Sequence, residues 1–346
     1  MSKYISVRKK SGLFSFLIEK KTVVIFGTLL LLSFLLFIAG LSIGSTWLHP
    51  MAVIKHLLGM GTGEYTFIID TLRLPRMVLS LLVGAALGVS GLILQGIVRN
   101  PLASPDIIGI TGGASVAAVV FITYFSGSLN IKWLPFAAII GAGVVTLIIY
   151  VLAWKKGVTP VRLVLVGIGV AATMSAFTTM MIVLSSTALA SQAYIWLTGS
   201  VYGANWENVN AMLSWVLVFV PLALFFSRAV NVQELGDDVA VGLGARVQLQ
   251  RFGLLLISVA LAGSAVAYAG GIGFVGLIAP HISRKLAGRS FAGLVPVTAI
   301  IGGLIVSSAD VIARTAFLPL DIPAGVFTAG IGAPFFIYLL YKNRNK

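Results

Sequence analysis

Residues 77–98 carry no charged side chain, and about 20 such residues in a helix cross the hydrocarbon core of a bilayer. Arg73 and Arg76 stand at the head of this run on either side of Pro75, whose fixed φ and missing N–H suit the first turn of a helix. Gly84, Gly88 and Gly91 follow at i, i+4 and i+7. One face of the helix is therefore nearly bare backbone, which a neighbouring helix can approach closely.

The rest of the chain has the same character. Hydrophobic residues make up 58% of 346 positions and charged residues 10%, with a mean hydropathy of +1.04. No soluble fold has enough polar surface at that composition, so the chain reads as an all-α polytopic membrane protein. The net charge of +14 does not indicate a nucleic-acid binder, because the basic residues lie in short clusters between apolar runs and act as topology signals. The absence of cysteine excludes disulfides, iron–sulfur clusters and thiolate metal sites. His49, His56 and His281 are too scattered in sequence to suggest a metal site.

About ten spans are expected. Residues 1–21 form a basic N-terminal tail, 22–341 a single transmembrane domain, and 342–346 a second basic tail. The first span covers Thr22 to Ile43, and an external loop over residues 44–72 carries a short interfacial helix within Trp47 to Leu58. Spans follow from Arg76 to Val98, Ile107 to Phe125, Trp133 to Trp154 and Leu163 to Ser186, with Ser104 or Asp106 as the N-cap of the third. Residues 187–210 are polar and aromatic and form an outer loop with room for a short helix. After a sixth span, Ala211 to Ser227, comes the most polar internal stretch, 228–251, where Glu234, Asp237 and Asp238 precede a short apolar run that stops at Gly242 and Gly244. One or two short helices along the membrane surface are expected there. Arg251 opens a seventh span to Tyr268; Gly270, Gly271, Gly273 and Gly276 allow a tight reversal into a short eighth; the ninth and tenth cover residues 293–313 and Pro323 to Tyr341.

Of the 24 lysines and arginines, this topology puts 19 inside and only Lys55, Arg73, Arg76, Lys132 and Arg314 outside. The positive-inside rule then places both termini in the cytoplasm. Arg73, Arg76 and Arg314 are pinned to span ends, since an arginine at mid-bilayer costs about 2.5–3.5 kcal/mol on insertion scales. Two readings of them stand: snorkelling to lipid headgroups, or cationic docking points for an acidic partner. Asp310 lies one turn before Arg314, in position to orient it.

No phosphate-binding loop of the GxxxxGK[ST] type is present, and no catalytic or metal-ligand spacing stands out in the spans. None of the ten acids falls mid-span, which weighs against an ion-coupled carrier without eliminating one, because the glycine-rich break at 270–276 could unwind.

In order along the chain stand RLPR, GAALGVSGLILQGIVRNPLASPDIIG, WLTGS, LGDDVAVGLG, GIGFVGLIAPHISR, SADVIAR and LPLDIPAGVFTAGIGAPFFIYLL. From about residue 70 to 341 this series resembles the FecCD family, the permease subunits of bacterial ABC importers for ferric siderophores, haem and cobalamin. The resemblance implies a multi-pass protein of the bacterial cell membrane with ten spans, an internal inverted repeat, and a second permease subunit, the same or similar, with the pathway between them. Arg73, Arg76 and Arg314 would meet acidic residues of an extracytoplasmic substrate-binding protein. Leu235, Gly236, Asp237, Asp238, Ala240, Leu243 and Gly244 would dock on cytoplasmic ATPase subunits, which carry the ATP and magnesium; this chain would hold no cofactor and catalyse no reaction. Gly84, Gly88, Gly91, Gly271, Gly273 and Gly276 are assigned to helix packing and gating. The implied function is ATP-driven import, of ferric siderophores first, with cobalamin or haem as alternatives. A metal-ion permease of the zinc and manganese group, and a self-sufficient secondary transporter, are the further alternatives.

Overall fold

The computed structural model describes residues 4–8, 15–61 and 63–343; Lys3, Lys9, Lys10 and the end of the C-terminal tail lie outside them. Two short strands, β1 (Tyr4–Arg8) and β2 (Ser15–Glu19), pair antiparallel. Every other described element is helical.

Helix α1 (Lys20–Ser42) is followed by α2 (Pro50–Leu57), where His49 accepts the Met51 N–H at 3.2 Å as N-cap. The span expected from Arg76 begins earlier. A π-helical segment, Phe67–Arg73, runs straight into α3 (Leu74–Val98), so the last part of the presumed loop is helical. Next come α4 (Ile110–Val120), prolonged by the π-helical Phe121–Phe125, then α5 (Leu134–Ala153), α6 (Pro160–Leu184), α7 (Thr187–Thr198) and α8 (Trp206–Phe225). The polar stretch holds two short helices, α9 (Ser227–Gln233) and α10 (Asp237–Gly242). The chain ends with α11 (Val247–Ala269), α12 (Val275–Ala287), α13 (Phe291–Thr315) and α14 (Ala324–Asn343).

Seven helices among the described residues are long and apolar enough to cross a membrane, with Ile110–Phe125 and Ala324–Tyr338 as shorter apolar helices. The count of ten is therefore approximate. The thirteen residues of α12 reach roughly 20 Å at 1.5 Å per residue, short of a full crossing. It starts beside the middle of α3 rather than level with an end, because Gly276 packs against Leu87 and Gly91.

The expected cap of the third span is corrected. Neither Ser104 nor Asp106 caps α4; its N-cap is Gly109, at φ 74°, with no side-chain hydrogen bond. Asp106 instead accepts from the Thr111 hydroxyl at 2.5 Å. Ala103, Ser104 and Pro105 are buried, and a Cβ on Gly276 would lie 3.0 Å from Pro105 Cδ. The middle of the break after α3, 103–105, thus folds in against α12, while Asn100, Pro101 and Asp106 stay exposed.

Helix α3 is the axis, packed by α13, α11, α12 and α8. Ser80 meets Ser307 at 2.8 Å and Ser90 meets Ser258 at 2.7 Å, hydroxyl pairs that join helices where water is absent. By contrast α1, α6 and α8 leave apolar side chains such as Leu31, Phe34, Val183, Leu184, Leu217 and Phe225 exposed. That distribution suits lipid or another apolar surface and not water. From α3 to α6 and from α11 to α14 the same element order recurs: a long helix, a short one, then two more.

Candidate functional site

At one end of the bundle, Arg73, Arg76 and Arg314 converge, but they are 6%, 8% and 8% exposed. They are not free cations on an open face. Arg73 closes the π-helical segment and reaches α1, donating to the carbonyls of Leu41 at 2.6 Å, Ser42 at 3.1 Å and Thr46 at 2.6 Å. The last carbonyls of a helix lack intrahelical donors, and a cation there also suits the helix dipole, so Arg73 caps α1 from outside it. Arg314 donates to the Gly40 carbonyl.

Arg76 forms the centre of this end. Its Nε and Nη2 hold Asp310 at 2.8–3.1 Å, and Nη1 and Nη2 hold Asp321 at 2.6 and 2.8 Å. The planar guanidinium fork suits such two-sided carboxylate binding. Asp310, with no exposed surface, also lies 3.7 Å from Arg314 Nε. Tyr202 places its ring 5.6 Å from the Arg76 guanidinium carbon, within range of a cation–π contact. A cleft of about 690 Å³ opens between these groups and residues 44–46, 68, 71–73 and 318–321. Three guanidiniums face two carboxylates here, so the cluster keeps one uncompensated positive charge. Nearby, His56 Nε2 meets the Asp70 carboxylate at 3.0 and 3.1 Å, and Trp206 Nε1 donates to the Asp70 carbonyl at 2.9 Å, tying α2 and α8 to the π-helical segment.

At the opposite end stands α10. Gly236 at φ 109° and Gly244 at φ 82° bracket it, conformations for which glycine is suited. Asp237 and Asp238 in its first turn suit the positive end of the helix dipole. Ala240 is buried, while Leu235, Val239, Val241 and Leu243 are each at least half exposed. An apolar patch on a helix with a charged start is a surface another chain can cover. Asp237 is gripped by Arg99 at 3.1 Å and Arg251 at 2.8 Å. Beside it, Gln95, Arg99, Asn100, Glu234, Arg284 and Arg289 surround a smaller cleft of about 290 Å³. Loss of solvent pushes the Glu234 carboxyl above its ordinary pKa, and the Arg284 and Arg289 guanidiniums oppose that shift.

Between the ends runs a line of close backbone contacts. A Cβ on Gly84 would collide with the Gly302 carbonyl, one on Gly91 with that of Gly276, and one on Gly88 would lie 2.9 Å from the Thr298 carbonyl. A Cβ on Gly271 would come 2.7 Å from the Leu197 carbonyl, whereas Gly273 meets nothing within 4 Å, so packing does not demand glycine there.

Spacing in the sequence brought out the arginines, the α10 run and the glycines. It gave no sign of the partners Asp321, Tyr202, Arg99 and Arg251. Arg251 was legible only as the inside charge that opens the seventh span.

The sequence profile of the FecCD transport family matches residues 30–342. The chain is 48% identical over 336 residues to the achromobactin transport system permease protein CbrC of Dickeya dadantii, covering 97% of this chain and 96% of that one. It is 42% identical over 328 residues to the iron(3+)-hydroxamate import system permease protein FhuG of Bacillus subtilis, covering 93% and 98%. A solved structure described as an inward-facing conformation of an ABC transporter of metal-chelate type superposes with a TM-score of 0.81 at 30% identity, over 93% of this chain and 99% of that one. With a family match from residue 30 to 342 and relatives of near-equal length, the chain belongs to the FecCD transport family.

Proposed function

We propose that this chain is the permease subunit of an ATP-driven importer of ferric siderophores, spanning the bacterial cell membrane with both termini in the cytoplasm. The observation that carries the reading is the 48% identity to an achromobactin permease over 97% of the chain. Two permease subunits, identical or similar, form the pathway. A loaded substrate-binding protein docks on the arginine end, and separate ATPase chains, with their ATP and magnesium, dock on α10.

The uncompensated charge of the arginine cluster supports the first contact. An acidic side chain of a binding protein entering the cleft completes the charge balance that Asp310 and Asp321 leave open. Such charges steer and orient more than they hold, contributing about 0–1 kcal/mol each where solvent reaches them. The exposed apolar side chains of α10 support the second contact, since burial beneath an ATPase surface removes them from water.

Docking is tested best with Arg73→Gln, because Arg73 bonds only to carbonyls in the contacts that define this cluster and its loss strands no carboxylate. Titration of the loaded binding protein onto the reconstituted permease should show docking weakened by up to about fivefold, with a smaller dependence on salt. Unchanged affinity and unchanged salt dependence would overturn the role given to this residue.

A further inference from the structure

Arg251 lies in the second turn of α11 and is wholly buried. A guanidinium at that depth needs partners; its two terminal nitrogens find them in different parts of the chain, while Nε is buried without one. Nη2 holds the Asp237 carboxylate at 2.8 and 3.0 Å, and Asp237 is the first residue of α10. Nη1 donates to the carbonyl of Val158, in the connection between α5 and α6. One turn earlier on the same face, Gln248 accepts the Val158 N–H at 2.9 Å and donates to its carbonyl at 3.4 Å. Gly157 packs on the Gln248 amide, where a Cβ would sit 2.7 Å from Nε2. The start of α11 therefore grips both polar groups of Val158, two residues before α6 begins at Pro160.

A cleft of about 530 Å³, lined by 98–99, 159–161 and 235–239, opens between α10 and the head of α6. Force applied to α10 therefore has a defined route through Asp237, Arg251 and the Val158 carbonyl. The receiving helix is suited to respond. Within this chain only Pro160, Leu163, Gly167 and Ile182 of its 25 residues are buried, with Val164, Val166, Val170 and Met174 half-buried against the core, so α6 is packed more lightly than α3 or α11. At the sending end, α10 is six residues long, and the Arg99 and Arg251 ion pairs anchor its first residue.

We propose that Arg251 is the positioning residue that transmits movement of the ATPase-docking helix α10 to the head of α6. The inference rests on the reading of α10 as the ATPase contact. A planar fork holds a carboxylate on one arm and a carbonyl on the other in fixed relation, which a lysine ammonium on a flexible stem does not. The residue acts on coupling, not on ATPase affinity.

The test uses the full complex of permease, ATPase and binding protein in liposomes. The probe is whichever radio-iron chelate the binding protein retains among ferric achromobactin, a ferric hydroxamate and ferric citrate. With Arg251→Lys the ATPase should still co-purify and hydrolyse ATP, while iron imported per ATP hydrolysed falls about tenfold, within the range of ordinary coupling energies. Unchanged iron per ATP overturns the proposal. So does loss of ATPase co-purification, which would make Arg251 a support of the docking surface only. Should Arg251→Lys fail to fold, Arg251→Gln, which leaves Asp237 its pair with Arg99, is read by the same ratio and the same two overturning results. The underlying reading fails by a different sign: if residues 237–243 are replaced by a flexible linker and the ATPase still co-purifies, α10 is not the contact.

Discussion

A single arginine decides much about the outer cluster. Arg76 holds both carboxylates in a site where Asp310 is wholly buried. Removing one member of a buried pair leaves an uncompensated charge and costs about 3–5 kcal/mol. Arg76→Ala should therefore lower the thermal unfolding midpoint in detergent by several degrees, and Asp310→Asn in that background should recover part of the loss. A midpoint unaffected by Arg76→Ala would mean the pair is already solvated. That an arginine stood at this span end was legible from the uncharged run behind it. Its partner Asp321, 245 positions away, was not, because helix-end neighbours are set by the packing of whole spans. The partners of Arg73 were hidden for a related reason: the carbonyls it caps belong to another helix.

Among the elements, α3 carries the clearest agreement between spacing and packing. Three glycines at i, i+4 and i+7 lie where α13 and α12 approach as backbone, and such contact needs no partner-specific side chain to be visible in a sequence. Gly84→Ala should destabilise the bundle by about 1–3 kcal/mol, as overpacking does. Gly143→Ala on α5, where a Cβ meets nothing within 4 Å, should be neutral or slightly stabilising, because alanine is the better helix former. Thermal midpoints of the two variants compared in one detergent check this, and equal shifts would contradict it. The break after α3 was harder to read. Ser104 and Asp106 both have the chemistry of an N-cap, yet Gly109 in a left-handed conformation starts α4. Pro105 has been drawn in against Gly276, a tertiary contact that overrides the local preference. The short α12 shares that cause: its start is fixed by contact with the middle of α3, which hydropathy alone does not encode.

For the molecule as a whole, the two ends are chemically different and joined by a close-packed axis. One end offers a cleft with surplus positive charge, the other an apolar-tipped helix held by Arg99 and Arg251. Both the membrane class and the family were readable in the sequence, since composition and an ordered series of motifs survive without knowledge of any contact. The path between the ends became visible only with the fold, because it runs through Val158, an apolar residue that contributes a backbone carbonyl. The central claim is ATP-driven import that requires partners at both ends. Its most direct measurement is radio-iron accumulation in liposomes holding the permease with its ATPase, the loaded binding protein on one side and ATP on the other. Accumulation should occur with all components present and cease when ATP, ATPase or binding protein is withheld. Accumulation that persists with the permease alone and no ATP would contradict the account.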